Sequence, residues 1–337
     1  MSPNTPSARQ PVPLDFTRLR WKSRADRAHK VNVAALGRTT PANCSFRDWF
    51  AALPAFLGAQ QLRHVVDSVV AARRAQRPVV FAFGGHAIKT GCSSLVIDLM
   101  ERGVITALAT NGSGAIHDLE LAETGATSEE VSETIRDGSF GMVRETCARM
   151  NEAAARGARG AGLGRALGEI LNAGTAPHKH LSLFAAAARL NIPATVHVAI
   201  GTDTVHTHPE ADGAALGTAT LTDFRTLCAI VADMGAATPG QAAGVWLNVG
   251  SAVILPEVFL KAVSVARNLG HSLDGVHTAN LDMLPHYRPT QNVVTRPVQP
   301  GHGHTVIGHH ELLLPLLRQA IVEQMDPPGR TASTSDG

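Results

Sequence analysis

The apolar and polar positions between residues 78 and 120 predict a strand, a glycine turn and a helix, and then the same three elements again. Residues 79–83 form a short apolar run that stops at Gly84-Gly85, and apolar residues then recur at helical spacing over 95–100. A second apolar run, 104–109, ends at Thr110-Asn111-Gly112-Ser113-Gly114, where small polar residues indicate another helix start. Because the carboxyl ends of parallel strands meet at one edge of a sheet, we expect both glycine turns to line one crevice.

The same alternation continues along most of the chain. Amphipathic helices are predicted over 45–76, with Ser45 as an N-cap and a break at Pro54. The pattern predicts one α/β domain over 14–325, in which a mostly parallel sheet has helices on both faces, with disordered segments at 1–13 and 326–337. The later elements are a helix start at 126–131, a helix at 181–190, a strand at 192–200, a helix at 222–234, a strand at 245–249, a helix at 255–269, a strand or turn at 276–280, an irregular stretch at 283–295 and a helix at 311–325.

Composition supports this fold and narrows the class of partner. Hydrophobic residues make up 44% of the chain but aromatic residues only 4%, so the interior must be mainly Ala, Val, Leu and Ile, as in a helix-covered parallel sheet. The net charge of +2, without a basic run interleaved with aromatics, argues against nucleic acid as a partner. No apolar stretch approaches the roughly 20 residues of a spanning helix, and 1–13 do not resemble a signal peptide, so we expect a cytoplasmic protein without membrane attachment. The four cysteines form no CxxC pair and are expected to be reduced core residues.

The two glycine turns are the first candidate binding site. Glycine lets backbone amides approach a ligand, and amides at helix starts favour anions, so a phosphate-bearing ligand is the first hypothesis. The alternative is that these glycines only permit tight connections, because neither turn has the full dinucleotide fingerprint or a P-loop. The glycine-rich segment 157–168 has no strand before it and is interpreted as a connector or a tight helix contact.

A second concentration of polar residues follows the strand predicted at 192–200. Asp203, His206, His208 and Glu210 lie within a few residues of one another, at the sheet edge where α/β proteins keep their sites. His206 and His208 are two residues apart, so on an extended segment they would point the same way and could share a metal. The alternatives are a catalytic role and simple hydrogen bonding in a polar loop; we predict no metal site.

The ordered series of strand ends resembles the deoxyhypusine synthase family, whose members use NAD and have a Rossmann-like fold. The resemblance covers about residues 78–320. Gly85 to Gly91 is similar to the family's turn ending in Ser-Ser-Gly, and residues 110–114 with Asp118 are similar to its Thr-Thr-Ala-Gly-Gly turn. Residues 192–203 resemble its Ile-Pro strand ending in Thr-Asp-Gly, residues 248–251 its later glycine turn, Thr278 its Asn-Thr-Gly turn, and 311–317 its C-terminal helix.

This resemblance implies NAD as the cofactor, a small-molecule substrate and a homotetramer built as a dimer of dimers. Both glycine turns contact NAD in the family. The resemblance therefore implies that the matching residues of this chain bind the cofactor. The residues so implied are Gly84, Gly85, His86, Lys89, Thr90, Thr110, Asn111, Gly112, Ser113, Gly114, Asp118, Gly250, Ser251, Thr278 and Ala279.

Two departures from the family bear on chemistry. Residues 256–259 stand where the family has Pro-Lys-His-His with its catalytic histidine, and residues 294–297 stand where it has the lysine that accepts the aminobutyl group. Without that lysine, covalent aminobutyl transfer loses its nucleophile, so we expect no deoxyhypusine synthase activity. The family pattern lacks four histidines that lie beside the predicted crevice here. We expect them to take over the role of the missing catalytic groups: His86, His117, His206 and His208.

We therefore predict an NAD-dependent enzyme acting on a small amine or polyol, with His117, His206, His208 and Asp203 as catalytic candidates. Two alternatives remain open. One is a metal-dependent hydrolase or lyase using His206 and His208. The other is a nucleotide-binding homologue without catalytic activity.

Overall fold

The computed structural model describes residues 11–238 and 240–325, and the chain divides after Leu36 into two units. The described part of the first unit contains three short turns of 3-10 helix, Phe16–Arg18, Arg24–Asp26 and Val33–Ala35, and none of their residues is buried. This division falls later than the predicted end of the arm at residue 13. Most of that arm and the whole predicted tail, 326–337, lie outside the described residues.

A six-stranded parallel sheet lies at the centre of the second unit. Its strand order is β3-β2-β1-β4-β5-β6, and every neighbouring pair is parallel. The predicted fold class, α/β with a mostly parallel sheet, is therefore confirmed. The strands are β1 Val79–Phe83, β2 Ala107–Asn111, β3 Ala194–His197, β4 Val245–Val249, β5 His277–Asp282 and β6 Gly303–Ile307.

Two strands differ from the apolar pattern. β3 ends at His197, although the apolar run predicts a strand that continues to residue 200. β6 was not predicted, because only His304 and Val306 of its five residues are buried. An edge strand with so few apolar positions produces no apolar run in the sequence.

Helices cover both faces of this sheet. α10 begins well before the predicted residue 222, and the stretch expected to be irregular, 283–295, contains α12 and a π-helical turn at Thr290–Thr295. The helices are α1 Phe46–Ala52, α2 Leu57–Arg74, α3 Gly85–Lys89, α4 Ser93–Glu101, α5 Gly112–Thr124, α6 Val131–Thr134, α7 Arg144–Arg156, α8 Leu163–Ala173, α9 Leu183–Leu190, α10 Gly213–Ala232, α11 Ile254–Asn268, α12 Tyr287–Pro289 and α13 His310–Met325.

Alternate residues of the central strands build two separate cores. Phe81 and Phe83 belong to the core shared with α2, α4, α5, α8, α9 and α13. Val80 and Trp246 belong to the core shared with α10 and α11, where the Trp246 ring stacks on Phe259 at 4.2 Å between centroids. Because both faces are buried, β1 and β4 appear in the sequence as continuous apolar runs.

Local signals at the helix ends agree with the sequence. Ser45 Oγ accepts the N–H of Asp48 at 3.1 Å, and α1 ends at Ala52, just before Pro54. The glycine-rich segment 157–168 connects α7 to α8, and a side chain at Gly164 or Gly168 would collide with neighbouring backbone. That segment is a connection with a tight helix contact, as predicted.

The buried carboxylate of Asp223, on α10, caps a helix from another part of the chain. Asp223 Oδ2 accepts the N–H of Gly164 at 2.9 Å and that of Val196 at 2.8 Å, which ties the amino end of α8 to β3. Burial raises the pKa of Asp223 to about 7, although these hydrogen bonds act in the opposite direction. Each N–H would otherwise be a buried donor without an acceptor, so this one carboxylate is central to the packing of α8.

The four cysteines are free, and Cys92 and Cys147 are buried. The predicted role as core residues therefore holds for these two, whereas Cys44 and Cys228 are only partly buried. Across the part of the chain that the structure describes, no helix is long and apolar enough to cross a membrane.

Four histidines stack at the amino-terminal edge of the sheet, where α2 meets β5 and β6. The rings of His277 and His302 lie 4.2 Å apart and nearly parallel, and His304 stacks between His277 and His64. His304 Nε2 lies 3.4 Å from His277 Nδ1. Burial, together with the nearby charges of the neighbouring histidines, lowers the pKa of both His277 and His304 to about 4.

We expect this stack to make the fold sensitive to acid. A histidine whose pKa is lowered on folding stabilises the protein above its unfolded pKa of 6.5, and this contribution is lost as the pH falls through about 4. For His304, which is 5% exposed, the full effect is about 3 kcal/mol. Urea denaturation at pH about 7.5 and about 4.5 should show a smaller acid loss for His304→Gln than for wild type. An equal loss would contradict this assignment, and exposed His271→Gln is the matched control.

Candidate functional site

The candidate site lies at the carboxyl edge of the sheet, around the ends of β2, β1 and β4. The strand order reverses between β1 and β4, since α3 after β1 packs in one core and α11 after β4 packs in the other. Open α/β sheets bind ligands at such a switch point. The two strand ends approach closely, because a side chain at Gly84 would collide with the carbonyl oxygen of Gly250. Only glycine fits at position 84.

The two glycine turns predicted to share a crevice lie side by side. β1 and β2 are paired so that Phe83 lies opposite Thr110, and Gly85 follows one strand while Ser113 follows the other. A Cβ at Gly85 would lie 2.5 Å from Ser113 Oγ and 2.6 Å from His117 Cδ2. Glycine at position 85 therefore leaves room for both side chains at the edge of the crevice.

His117 is held in one orientation by a threonine and a glutamate. Its Nδ1 lies 2.7 Å from Thr127 Oγ1, and the same hydroxyl donates to Glu120 Oε2 at 2.6 Å. Thr146 donates to the other oxygen of Glu120 at 3.1 Å. Because the hydroxyl proton of Thr127 goes to the carboxylate, Thr127 must accept the proton of His117 Nδ1. Nε2 is then the ring nitrogen with the lone pair, as a general base requires.

The environment of His117 keeps the ring neutral. Burial lowers the pKa of His117, and the nearby charge of Lys89 lowers it further, while Glu120 raises it. An imidazole that is neutral at physiological pH accepts a proton from a substrate without first losing one. Lys89 itself is exposed.

Asp203 reaches the amino end of α5 from the loop after β3. A side chain at Gly112 would collide with its carboxylate, and Asn111 accepts the N–H of Gly114 at 3.0 Å beside it. Burial raises the pKa of Asp203, and His206, whose Nε2 lies 3.9 Å from Oδ2, lowers it. Asp203 thus occupies the anion position at the start of α5, so a ligand phosphate would not bind there.

The sequence analysis missed two polar residues of this edge, His310 and Asp282. His310, at the start of α13, is 1% exposed; its Nε2 lies 3.2 Å from the carbonyl oxygen of Leu281, and its buried Nδ1 has no hydrogen-bond partner. His86 lies 5.4 Å from it, ring to ring, and Asp282 ends β5 nearby. Burial lowers the pKa of His86, and so does His310. The Nδ1 of His310 is an acceptor without a donor.

Several predicted binding residues lie apart from this group. Asp118 is fully buried and accepts from Ser182 Oγ at 2.5 Å and from the N–H of Leu183 at 2.7 Å, so its carboxylate caps α9. Burial raises the pKa of Asp118 to about 6. Thr278 and Ala279 are buried near the beginning of β5, before its carboxyl end at Asp282. We therefore leave these three residues out of the site.

Other predicted residues lie at this edge with their side chains already engaged. Thr110 donates to the carbonyl oxygen of Phe83 at 2.6 Å, and Thr90 donates to that of His86 at 2.9 Å. Ser251 is buried and accepts the N–H of Leu255 at 3.3 Å. Gly114 packs against Thr110 within the start of α5. The side-chain oxygens of Thr110, Thr90 and Ser251 are therefore already hydrogen-bonded within the fold.

The geometry does not favour a metal at His206 and His208. His206 Nδ1 accepts the N–H of Gly201 at 3.1 Å, and His208 Nδ1 accepts that of Glu210 at 3.3 Å. Each ring is thus engaged in its own turn. Within residues 11–238 and 240–325, no group of three or more His, Cys, Asp or Glu side chains is arranged to hold a metal ion.

Comparison with known proteins gives a likeness of fold. No protein-family model matches the sequence, and no curated protein matches it. The ternary complex of AgrE with ornithine and NAD+ matches with a TM-score of 0.51 and 15% identity over 80% of this chain, which spans 34% of the AgrE chain. A LOR/SDH protein from Methanococcus maripaludis S2 matches with a TM-score of 0.47 and 15% identity, over 79% of this chain and 70% of that one.

A putative deoxyhypusine synthase from Entamoeba histolytica matches with a TM-score of 0.46 and 10% identity, over 86% of this chain and 97% of that one. At these identities the likeness concerns the fold alone. The six-stranded parallel sheet and the likeness to AgrE thus confirm the predicted α/β fold, and a putative deoxyhypusine synthase is among the solved structures that the chain resembles.

Proposed function

We propose that the protein is an NAD-dependent enzyme that oxidises a small polar substrate, with His117 as the general base. The observation that carries this proposal is the neutral, oriented imidazole of His117 beside Gly85, at the carboxyl edge of the sheet. The similar fold of AgrE, which was solved with NAD+, supports the choice of cofactor. NAD, when bound, accepts a hydride, and the protein must supply binding, orientation and proton transfer.

The residues at the crevice fit a dinucleotide. Gly84, Gly85 and Gly250 let the ends of β1 and β4 pack closely against each other and against Ser113, His117 and His310, at the edge where a dinucleotide would bind. Asp203 is suited to ribose hydroxyls, because a carboxylate near the end of the second strand commonly accepts them. The buried Nδ1 of His310 lacks a donor, and a ligand hydroxyl or amine would satisfy it.

His117 would take the proton of the substrate as it is oxidised. Glu120 and Thr127 fix the tautomer with the lone pair on Nε2. His206 and Asp203 form a second pair near α5 that would orient the ligand. On the resemblance noted in the sequence, the proposed substrate is an amine or polyol and the proposed assembly is a homotetramer. The cytoplasmic compartment remains a prediction of the sequence analysis.

Calorimetric titration of the untagged protein tests the cofactor. We expect NAD+ to bind with a micromolar Kd, and Asp203→Asn to weaken binding about tenfold or more, because a hydrogen bond to a charged group contributes about 1.5–3 kcal/mol. Exposed Asp274→Asn is the matched control and should bind as wild type does. Absence of heat with NAD+, NADP+ and ADP, together with absence of thermal stabilisation by all three, would contradict the proposal.

A further inference from the structure

Glu257, in the first turn of α11, contacts three polar side chains, and a fourth, Arg296, is linked to it through one of them. Lys261 Nζ lies 2.5 Å from its Oε2, and Arg288 Nε lies 3.3 Å from its Oε1. Asn292, which is buried, donates to Oε1 at 2.9 Å. Glu257 is therefore shared between two cations and an amide, and it fixes the orientation of that amide.

The fourth side chain, Arg296, has only neutral partners in this group. Its Nη1 donates to Asn292 Oδ1 at 2.9 Å, and its Nη2 donates to the hydroxyl oxygen of Tyr287 at 3.3 Å. Among the described residues, no carboxylate lies within ion-pair distance of Arg296. Its guanidinium is thus held in place while its charge is not neutralised.

The cluster carries excess positive charge at the edge of the sheet that holds the site. Lys261 and Arg288 share one carboxylate, that of Glu257, and Arg296 adds a third positive charge beside them. α11 begins just after β4, and α12 begins just after β5, so Glu257 and Arg288 meet near the carboxyl ends of those strands. Arg288 is half exposed, and Arg296 and Tyr287 are exposed. A ligand can reach all three side chains.

We propose that Arg288, Arg296 and Tyr287 bind an oxyanion, either a carboxylate or a phosphate carried by the ligand of the neighbouring crevice. This inference rests on the proposed function, because it adds an anionic group to the small polar substrate or to the cofactor. A guanidinium presents parallel N–H donors that match the two oxygens of a carboxylate or phosphate. The Tyr287 hydroxyl supplies a further donor beside Arg296.

The chain's single tyrosine permits a direct test. Protein labelled with 3-fluorotyrosine has one fluorine resonance, and it reports on Tyr287 alone. Sodium phosphate and sodium acetate are titrated separately, with sodium chloride of equal ionic strength as the reference. We expect a saturable shift with at least one of the two anions. Saturation by acetate alone identifies a carboxylate, and saturation by phosphate alone identifies a phosphate.

Variants distinguish binding from a general salt effect. Arg296→Gln should weaken binding of the titrated anion about tenfold or more, since it removes charge-assisted hydrogen bonds. Arg165→Gln, which removes an exposed arginine paired with Glu169 on α8, should leave the shift unchanged. A shift that is linear, equal to that with chloride, or retained in Arg296→Gln would overturn the inference.

The same labelled sample separates this inference from the proposed function. NAD+ binding is followed by calorimetry on it. Binding of NAD+ without a saturable anion shift removes the inference alone. A saturable anion shift without NAD+ binding keeps the oxyanion site and removes the proposed cofactor.

Discussion

Replacement of His117 by asparagine is expected to lower turnover by about 10²- to 10⁴-fold, the usual contribution of a general base. Asparagine keeps a donor near the position of Nδ1, so the contact with Thr127 survives while the lone pair on Nε2 is lost. Turnover is measured as NADH formation over a panel of amines, amino acids and polyols. Exposed His271→Asn is the control and should retain wild-type turnover.

Replacement of Thr127, which orients His117, should have a smaller effect of a different kind. Thr127→Val removes both hydrogen bonds of the hydroxyl, and because only the one with His117 orients the base directly, we expect a loss of about fivefold to thirtyfold, while Thr127→Ser restores the hydroxyl and most of the rate. Because the pKa of His117 lies below 6.5, wild-type turnover should decline only when the pH falls below that value. Nitrogen NMR of wild type should show the proton on Nδ1. A proton on Nε2, or unchanged turnover in His117→Asn, would refute the role of His117.

Asp223→Ala should destabilise the fold by about 3–5 kcal/mol, because it leaves two buried N–H groups without an acceptor. These are the N–H groups of Gly164 and Val196, which join α8 to β3. The loss of stability caused by Asp223→Ala should be larger at low pH than at high pH. Since burial raises the pKa of Asp223 to about 7, this group stabilises the fold at low pH and loses that contribution as the pH rises through 7.

Chemical denaturation at pH about 5.5 and about 8 checks both statements. The difference between wild type and Asp223→Ala should be larger at the lower pH. Asp274→Ala, an exposed site, should change the free energy of unfolding by less than about 0.5 kcal/mol. A loss below about 1 kcal/mol for Asp223→Ala would show that other groups satisfy these amides.

Apolar periodicity was sufficient for the centre of the fold and insufficient at its margins. β1 and β4 are buried on both faces, so their sequences are continuous apolar runs that predict strands directly. β6 is an edge strand in which Gly303 and His304 replace apolar residues. Its pairing with β5 supplies the hydrogen bonds, and this tertiary contact leaves no periodic pattern in the sequence.

The site was predictable where its residues follow strands in the sequence. Gly85 and His117 belong to neighbouring turns, and parallel pairing brings such turns together. Asp118 shares that context, yet its carboxylate binds Ser182 and the start of α9, which no local spacing indicates. The three-residue spacing of His117 and Glu120 on one helix is a signal that could have been used. His310 carried no comparable signal, since only the fold places it beside His86.

The contact between Thr127 and His117 ties the chemistry to a connection rather than to a helix. His117 and Glu120 lie on α5, but α5 ends at Thr124 and Gly125 then adopts a left-handed conformation before the chain reaches Thr127. The tautomer of His117 therefore depends on where this connection holds Thr127. A side chain at Gly125 would collide with His178, so a substitution there should displace Thr127 and weaken its control of the ring without changing His117 itself.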